Sequence, residues 1–126
     1  MSDEIHITVP MTPPGVNHYV KHTRTGRHYV TAEAGAFKTA LALVARGRWI
    51  MGKSFEVEAF VYLGSGQKGD VDGFSKLLLD GLQEAGVFRS ERLDMPPLSD
   101  SYVTDLIMRK RRDRENPRTE ITVRSI

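Results

Sequence analysis

The chain contains no cysteine among its 126 residues. It therefore has no disulfide framework, no thiolate nucleophile and no zinc site built on cysteine ligands. It also lacks a run of about 18 apolar residues, so we expect no membrane-spanning helix. The first residues, MSDEIHITV, are acidic and have too short an apolar stretch for a signal peptide. We therefore expect a cytoplasmic protein without a membrane partner.

Two common catalytic signatures are also absent. The chain has no Gly-x-x-x-x-Gly-Lys loop, which disfavours a nucleoside triphosphatase, and no Gly-x-Ser-x-Gly elbow, which disfavours a serine hydrolase. Hydrophobic residues make up 40% and charged residues 27% of the chain, as in an ordinary globular protein. This length and composition predict one domain spanning residues 1–126.

The basic residues are unevenly distributed, although the net charge is only +2. One group consists of Lys21, Arg24 and Arg27, and a second is the run RKRRDR from Arg109 to Arg114. Such groups can contact phosphates with an affinity that falls as salt rises. The alternative is that they belong to a solvated strand end and turn.

Hydrophobic periodicity predicts several strands and two main helices. The predicted strands are 4–9, 28–30, 54–63, 102–109 and 119–124. One helix is predicted over 32–46 with Thr31 as its N-cap, and a second within 69–86. Residues 87–99 are predicted to form a loop, and Trp49 and Ile50 are predicted to pack as the chain leaves the first helix. The pattern favours a single small α+β domain with a mixed β-sheet.

The stretch Gly69–Gly86, GDVDGFSKLLLDGLQEAG, has two aspartates at the start of the second helix. At about 100° per residue, one helix face is apolar and the other polar. The apolar face holds Phe74, Leu77, Leu78, Leu82 and Ala85, and the polar face holds Asp72, Lys76 and Gln83. Neighbouring carboxylates such as Asp70 and Asp72 repel each other unless a cation such as Mg2+ lies between them. The alternative is that they cap the helix and complement its dipole.

The order of these features resembles the RusA-type Holliday junction resolvases, small dimeric endonucleases of phages and prophages, over nearly the entire chain. The segment TPPGVNHYVKHTRTGRHYVTAEAGAFK is similar to the family's proline pair, asparagine-aromatic segment, basic turn and first helix. The segment GDVDGFSKLLLDGLQEAGVF is similar to its Asp-x-Asp-Asn-x-x-Lys pattern followed by Asp-x-Leu. The matching positions are Asp70, Asp72, Lys76 and Asp80. Before the next strand, Asp100 matches the second member of the family's acidic pair.

The chain departs from the family pattern at two places. Gly73 stands where the family usually has asparagine, so an amide that can orient a ligand or a phosphate is missing. The segment RSERLDMPPL lengthens the loop before Asp100 and introduces Asp94 as a rival third acid. We prefer Asp100 because its offset from the following strand matches the family.

The resemblance implies that Asp70, Asp72 and Asp100 are catalytic residues that bind Mg2+, for which Mn2+ can substitute. It implies that Lys76 stabilises charge on the scissile phosphate; the alternative is an ion pair with Asp72 or Asp80. Asp80 is expected to be structural. The residues expected to contact the DNA backbone are Lys21, Arg24, Arg27, Lys68, Arg109, Lys110, Arg111 and Arg112.

The implied activity is paired, symmetric cleavage of four-way DNA junctions by a homodimer, in recombination, repair or phage DNA processing. A two-fold dimer supplies the two identical sites that such cleavage needs. Two alternatives remain open. One is a branched-DNA-binding module that has lost catalysis, and the other is a nuclease that cuts flaps or another phosphodiester substrate.

Overall fold

The computed structural model describes residues 4–14, 20–22, 28–67, 69, 71–92 and 94–126, without the side chains of 20–22, 28–30 and 72. The described strands are β1 (Glu4–Val9), β2 (Val20–His22), β3 (His28–Val30), β4 (Ile50–Met51), β5 (Phe55–Leu63), β6 (Phe88–Arg89), β7 (Val103–Arg112) and β8 (Arg118–Ser125). The helices are α1 (Ala32–Ala45) and α2 (Ser75–Glu84), and two 3-10 turns cover Asp72–Phe74 and Asp100–Tyr102.

The central sheet has the strand order β1-β8-β5-β7. β8 is antiparallel to both of its neighbours, whereas β5 and β7 are parallel. A parallel pair needs a long crossover connection, and the segment that contains α2 supplies it. These directions confirm the predicted α+β fold with a mixed sheet and two main helices.

Alternation along β5 divides the sheet into two faces. Its odd-numbered residues from Phe55 to Leu63 are buried, whereas its even-numbered residues are partly exposed. Phe55, Val57 and Ala59 belong to one core with Phe37 and Leu41 of α1 and with Leu78 of α2, whereas Val61 and Leu63 belong to a second, smaller cluster on the same side. We call this helix-bearing side the inner face and the opposite side the outer face.

The two helices are fixed to each other by a close approach. Thr31 caps α1 as predicted, because its hydroxyl accepts a hydrogen bond from the N–H of Ala34 at 3.3 Å. A Cβ at Gly81 of α2 would lie 2.5 Å from Cδ2 of Leu41, so only glycine allows this packing without rearrangement. In the described part of the chain, no helix is long and apolar enough to cross a membrane.

One detail differs from the expectations. Residues 87–99 were predicted to form a loop, but Phe88–Arg89 form β6, which pairs in parallel with β4. Two-residue strands are too short to show a period, so their burial depends on tertiary contacts. Ile50 is buried, whereas Trp49 is 52% exposed and has the guanidinium of Arg89 over its ring. Alternation explains the difference, because neighbouring residues of an extended segment point to opposite sides.

Candidate functional site

The loop between β5 and α2 is held against β7 by two basic side chains. Nζ of Lys110 donates a hydrogen bond to the carbonyl of Gly69 at 3.0 Å. Arg112 donates to the carbonyls of Gly64 at 2.6 Å and Gln67 at 3.3 Å. The backbone next to Asp70 is therefore fixed beside the C-terminal half of β7. Asp70 itself and Lys68 lie outside the described residues, so their roles stay predictions.

Gly69 also approaches the ring of Phe74 so closely that a Cβ would overlap it. Phe74 is buried in a small cluster with Val61 and Leu63. This contact packs the end of the loop onto the sheet immediately before α2. It thereby directs the chain into the Asp72–Phe74 turn.

The backbone of Asp72 begins the 3-10 turn that leads into α2, and Lys76 lies in the first turn of the helix. Nζ of Lys76 is 3.8 Å from a carboxylate oxygen of Asp80. The side chain of Lys76 is nevertheless 65% exposed. An exposed i, i+4 pair contributes only about 0.3–0.5 kcal/mol, so the contact with Asp80 by itself does little to fix this ammonium.

Asp100 is anchored to the other end of α2. Its backbone N–H donates to Oε1 of Gln83 at 2.8 Å, and Ser99 caps the short turn that it begins. The rival acid Asp94 instead lies in the loop, 72% exposed, where it pairs with Arg92 at 3.2 Å. Asp100 thus has a defined position relative to the helix, which favours it as the third acid.

Asp72 and Asp100 lie near opposite ends of α2 within one chain. Gln83 lies eleven residues after Asp72, which corresponds to about 16 Å along a helix axis. The sheet also separates them, since Asp100 lies three residues before β7 begins whereas Gly69 contacts Lys110 near the end of that strand. Among the described side chains, no three acids or histidines are arranged so that they could hold a metal ion. The backbone positions therefore do not bring these two predicted ligands together in a single chain.

A family model described as Endodeoxyribonuclease RusA matches residues 10–124. The chain belongs to this family. The resemblance drawn from the sequence is therefore confirmed, and membership supports nuclease activity on DNA. The comparison with curated proteins found no match.

In this RusA family member, the basic run of β7 is divided between the two faces of the sheet. The register with β5 sets Lys110 and Arg112 on the inner face with Val61 and Leu63. Arg109 and Arg111 lie on the outer face, with their guanidinium groups 5.3 and 5.6 Å from the ring centre of Phe60. The predicted single cluster is thus two pairs with different surroundings. The side chain of Lys21, and Arg24 and Arg27 entirely, lie outside the description.

One basic cavity adjoins the loop that precedes Asp70. It has a volume of about 260 Å³ and is lined by Arg112 and Arg114 together with Ser65, Gly66 and Gln67. Arginine side chains beside exposed backbone suit a phosphate oxygen. The cavity is therefore a candidate contact for the DNA backbone on the acid-bearing side of the family fold.

The outer face carries a network of carboxylates around Arg124. This guanidinium donates to Glu4 at 2.9 Å, Glu56 at 2.6 Å and Glu58 at 3.1 Å, and Arg109 also pairs with Glu58. Partial burial raises the pKa of Glu58, but the hydrogen bonds from Arg124 and Arg109 outweigh it and hold the pKa below its ordinary value. Hydrogen bonds to Glu56 and Glu58 raise the pKa of Arg124. The network makes the outer face a charged, internally paired surface.

Two residues near the site were not assigned a role from the sequence. Gln83 was placed on the polar face of the helix with Asp72 and Lys76, and this shared face was a usable signal. Its specific partner, the N–H of Asp100, depends on the fold. Arg114 belongs to the basic run, but its position beside the cavity depends on the turn after β7.

Proposed function

We propose that this RusA family member is a Mg2+-dependent endonuclease that cuts four-way DNA junctions at paired, symmetric positions as a homodimer. The family match over residues 10–124 carries the proposal. The separation of Asp72 from Asp100 along α2 supports the dimer, because a second chain can supply the acid that the first holds too far away.

The donor set fits Mg2+. Asp70, Asp72 and Asp100 offer carboxylate oxygens, which are the ligands that this hard cation prefers, and Mn2+ accepts the same ligands. The N–H of Asp100 is bonded to Gln83, so the backbone of this ligand is fixed before any cation binds. When bound, the cation supplies charge neutralisation at the phosphate and an activated water.

A two-fold arrangement along the edge of the sheet would complete this set. β7 is the edge strand next to β5, and no other described strand covers its far side. If two copies pair antiparallel along β7, the start of one strand meets the end of the other. Asp100 of one chain would then approach the Gly69 loop of its partner. An apolar groove of about 470 Å³ along this edge, lined by Val71, Ser75, Leu106 and Met108, offers a surface for the second copy.

The remaining side chains would position DNA around this centre. Lys76 is exposed at the start of α2 and can place its ammonium against the scissile phosphate. Arg112 and Arg114 would hold a neighbouring backbone phosphate in the basic cavity. Contacts of this kind read the shape of branched DNA more than its base sequence.

The test uses a synthetic four-way junction, a flap and a duplex of matched sequence, with Mg2+, Mn2+ or a chelator, followed by mapping of the nicks. We expect paired symmetric nicks in the junction with either cation and none with the chelator. Binding without cutting would indicate a non-catalytic module. Preferential flap cleavage would assign a different substrate.

Asp100→Asn and Asp94→Asn form a matched pair in the same assay. Loss of a carboxylate ligand should lower cleavage by Asp100→Asn at least a hundredfold, while junction binding persists, because second-shell losses alone cost about 10- to 100-fold. Asp94→Asn should cleave at a rate within about twofold of the wild type, since the Asp94 carboxylate only pairs with Arg92 in an exposed loop. If Asp94→Asn fails to cut and Asp100→Asn cuts normally, Asp94 is the third acid.

A further inference from the structure

The chain's single tryptophan lies in an exposed groove at the Asp100 end of α2. The groove has a volume of about 150 Å³ and is lined by Trp49, Met51, Arg89, Ser90, Arg92 and Met95. Trp49, Met51 and Met95 are 52, 38 and 39% exposed. Pockets for drug-sized ligands usually exceed about 300 Å³, so this groove suits one flat ring.

The walls of the groove are held by main-chain bonds. The N–H groups of Ile50 and Gly52 donate to the carbonyls of Val87 and Arg89 at 2.8 and 2.9 Å. The N–H of Leu98 donates to the carbonyl of Phe88 at 2.8 Å. Leu98 is only two residues before Asp100. The bond from Leu98 to Phe88 therefore holds the segment that leads to the proposed third acid against the strand that carries the groove.

The ring of Trp49 and a guanidinium lie together in the groove. Cζ of Arg89 is 5.7 Å from the ring centre of Trp49, and its Nε donates to the carbonyl of Gly86 at 3.2 Å. Nucleobases stack on aromatic rings and on guanidinium planes, and this stacking tolerates any base. An exposed tryptophan beside an arginine that is bonded to the backbone therefore offers two surfaces that an unpaired base can use.

The charge around the groove complements DNA. The segments 46–53 and 89–95, which carry the groove, contain five basic and two acidic residues. One of those acids, Asp94, is already paired with Arg92 at the rim. A hydrophobic peptide would gain nothing from this excess of positive charge, whereas a base attached to phosphates would.

We propose that the Trp49 groove binds an unpaired nucleobase of branched DNA by stacking, independently of base identity. This rests on DNA being the substrate, as family membership supports, and deepens the proposed function. A free four-way junction is fully paired, so the base would have to be unpaired at the branch point when the protein binds, at a cost of a few kcal/mol. Capture of one such base beside Asp100 would hold the branch point near the site of cleavage.

Fluorescence of the full chain tests the proposal directly, because all tryptophan emission comes from position 49. The protein is titrated without divalent cations with a ten-residue oligothymidylate, a blunt hairpin duplex and a four-way junction, while anisotropy of labelled DNA reports binding. We expect the oligothymidylate and the junction to quench the emission and the duplex to leave it nearly unchanged. Unchanged emission at saturation, or no binding of the oligothymidylate, overturns the proposal.

Substitutions provide the second readout. Trp49→Ala should weaken binding of the oligothymidylate about tenfold, Trp49→Phe should retain most of it, and both should bind the duplex within about twofold of the wild type. Leu43→Ala is the matched control, because Leu43 is an exposed apolar residue of α1 that does not line the groove. This variant should bind all three DNAs like the wild type. Equal loss on all DNAs, or a dimer that dissociates in Trp49→Ala, overturns the proposal in favour of a general or subunit-contact role.

Failure of this proposal and failure of the proposed function give different results. Normal junction cleavage without quenching of the tryptophan emission would contradict only the stacking proposal. Quenching by the oligothymidylate without any junction cleavage in Mg2+ would contradict only the proposed junction endonuclease activity.

Discussion

At residue 69, any side chain larger than hydrogen would overlap the Phe74 ring. The same residue accepts the hydrogen bond from Lys110 and precedes the predicted ligand Asp70. The sequence motif identified the acids by type and spacing. It contained no sign that Gly69 is packed against the Phe74 ring and also hydrogen-bonded by Lys110. Such packing depends on the position of β7, which is separated from the loop by more than thirty residues.

We predict that Gly69→Ala lowers both stability and cleavage. The added methyl must displace Phe74 or the loop, and overpacking of this kind costs about 1–3 kcal/mol of unfolding free energy. Cleavage should fall further than stability accounts for, because Asp70 moves with the loop. Denaturant unfolding and junction nicking measure the two effects.

Gly35→Ala is the control for that substitution. A Cβ at Gly35 meets nothing within 4 Å, and the residue lies inside α1, so alanine should raise stability by about 0.5–1 kcal/mol. If Gly69→Ala unfolds and cuts like the wild type, the loop is not held by this contact.

At the scale of elements, β7 shows how much of the site was predictable. The sequence predicted a strand up to Arg109, and one interpretation of the basic residues that follow was a solvated strand end and turn. The strand continues to Arg112, and a period of two sends neighbouring arginines to opposite faces. Periodicity also predicted β5 and α2, whereas the attachment of Asp100 to the far end of α2 required the crossover geometry.

We predict different kinetic effects for the two faces of β7. Lys110→Ala should lower the cleavage rate at saturating junction about tenfold or more, because a loop displaced by about 1 Å can cost up to a hundredfold. Arg111→Ala should leave that rate within about twofold and weaken only affinity, since its side chain lies over Phe60. Single-turnover nicking separates rate from affinity, and equal loss of rate in both variants would contradict this division.

At the scale of the molecule, the outer face links stability to pH. The pKa of Glu58 lies below its ordinary value of 4.5 in the folded chain. Its ionised form therefore stabilises the fold above about pH 4.5, and this contribution is lost as the pH falls through the lowered pKa. Asp113 acts in the same direction, because Arg118 lowers its pKa.

We predict that Glu58→Gln is most destabilising near pH 7 and that its difference from the wild type shrinks below about pH 4.5. Thermal unfolding between pH 3 and pH 7 measures this. Glu91→Gln, an exposed loop residue outside the network, should follow the wild type throughout. A constant difference between Glu58→Gln and the wild type would show that the carboxylate's charge does not matter.

At the scale of the proposed dimer, the separation of Asp72 and Asp100 along α2 has one further consequence. If each cleavage site combines the acid loop of one chain with Asp100 of its partner, then two inactive variants can complement each other. Asp72→Asn and Asp100→Asn, refolded together, would form mixed dimers with one complete site. Asp70→Asn mixed with Asp72→Asn is the control, because both changes lie in the same loop.

The decisive measurement is therefore junction nicking by these refolded mixtures in Mg2+. We expect the Asp72→Asn and Asp100→Asn mixture to regain single nicks at about a quarter of the wild-type frequency, since half of randomly paired dimers are mixed and each has one intact site. The control mixture should stay inactive. Inactivity of both mixtures, with each variant still dimeric and bound to the junction, would contradict a site shared between two chains.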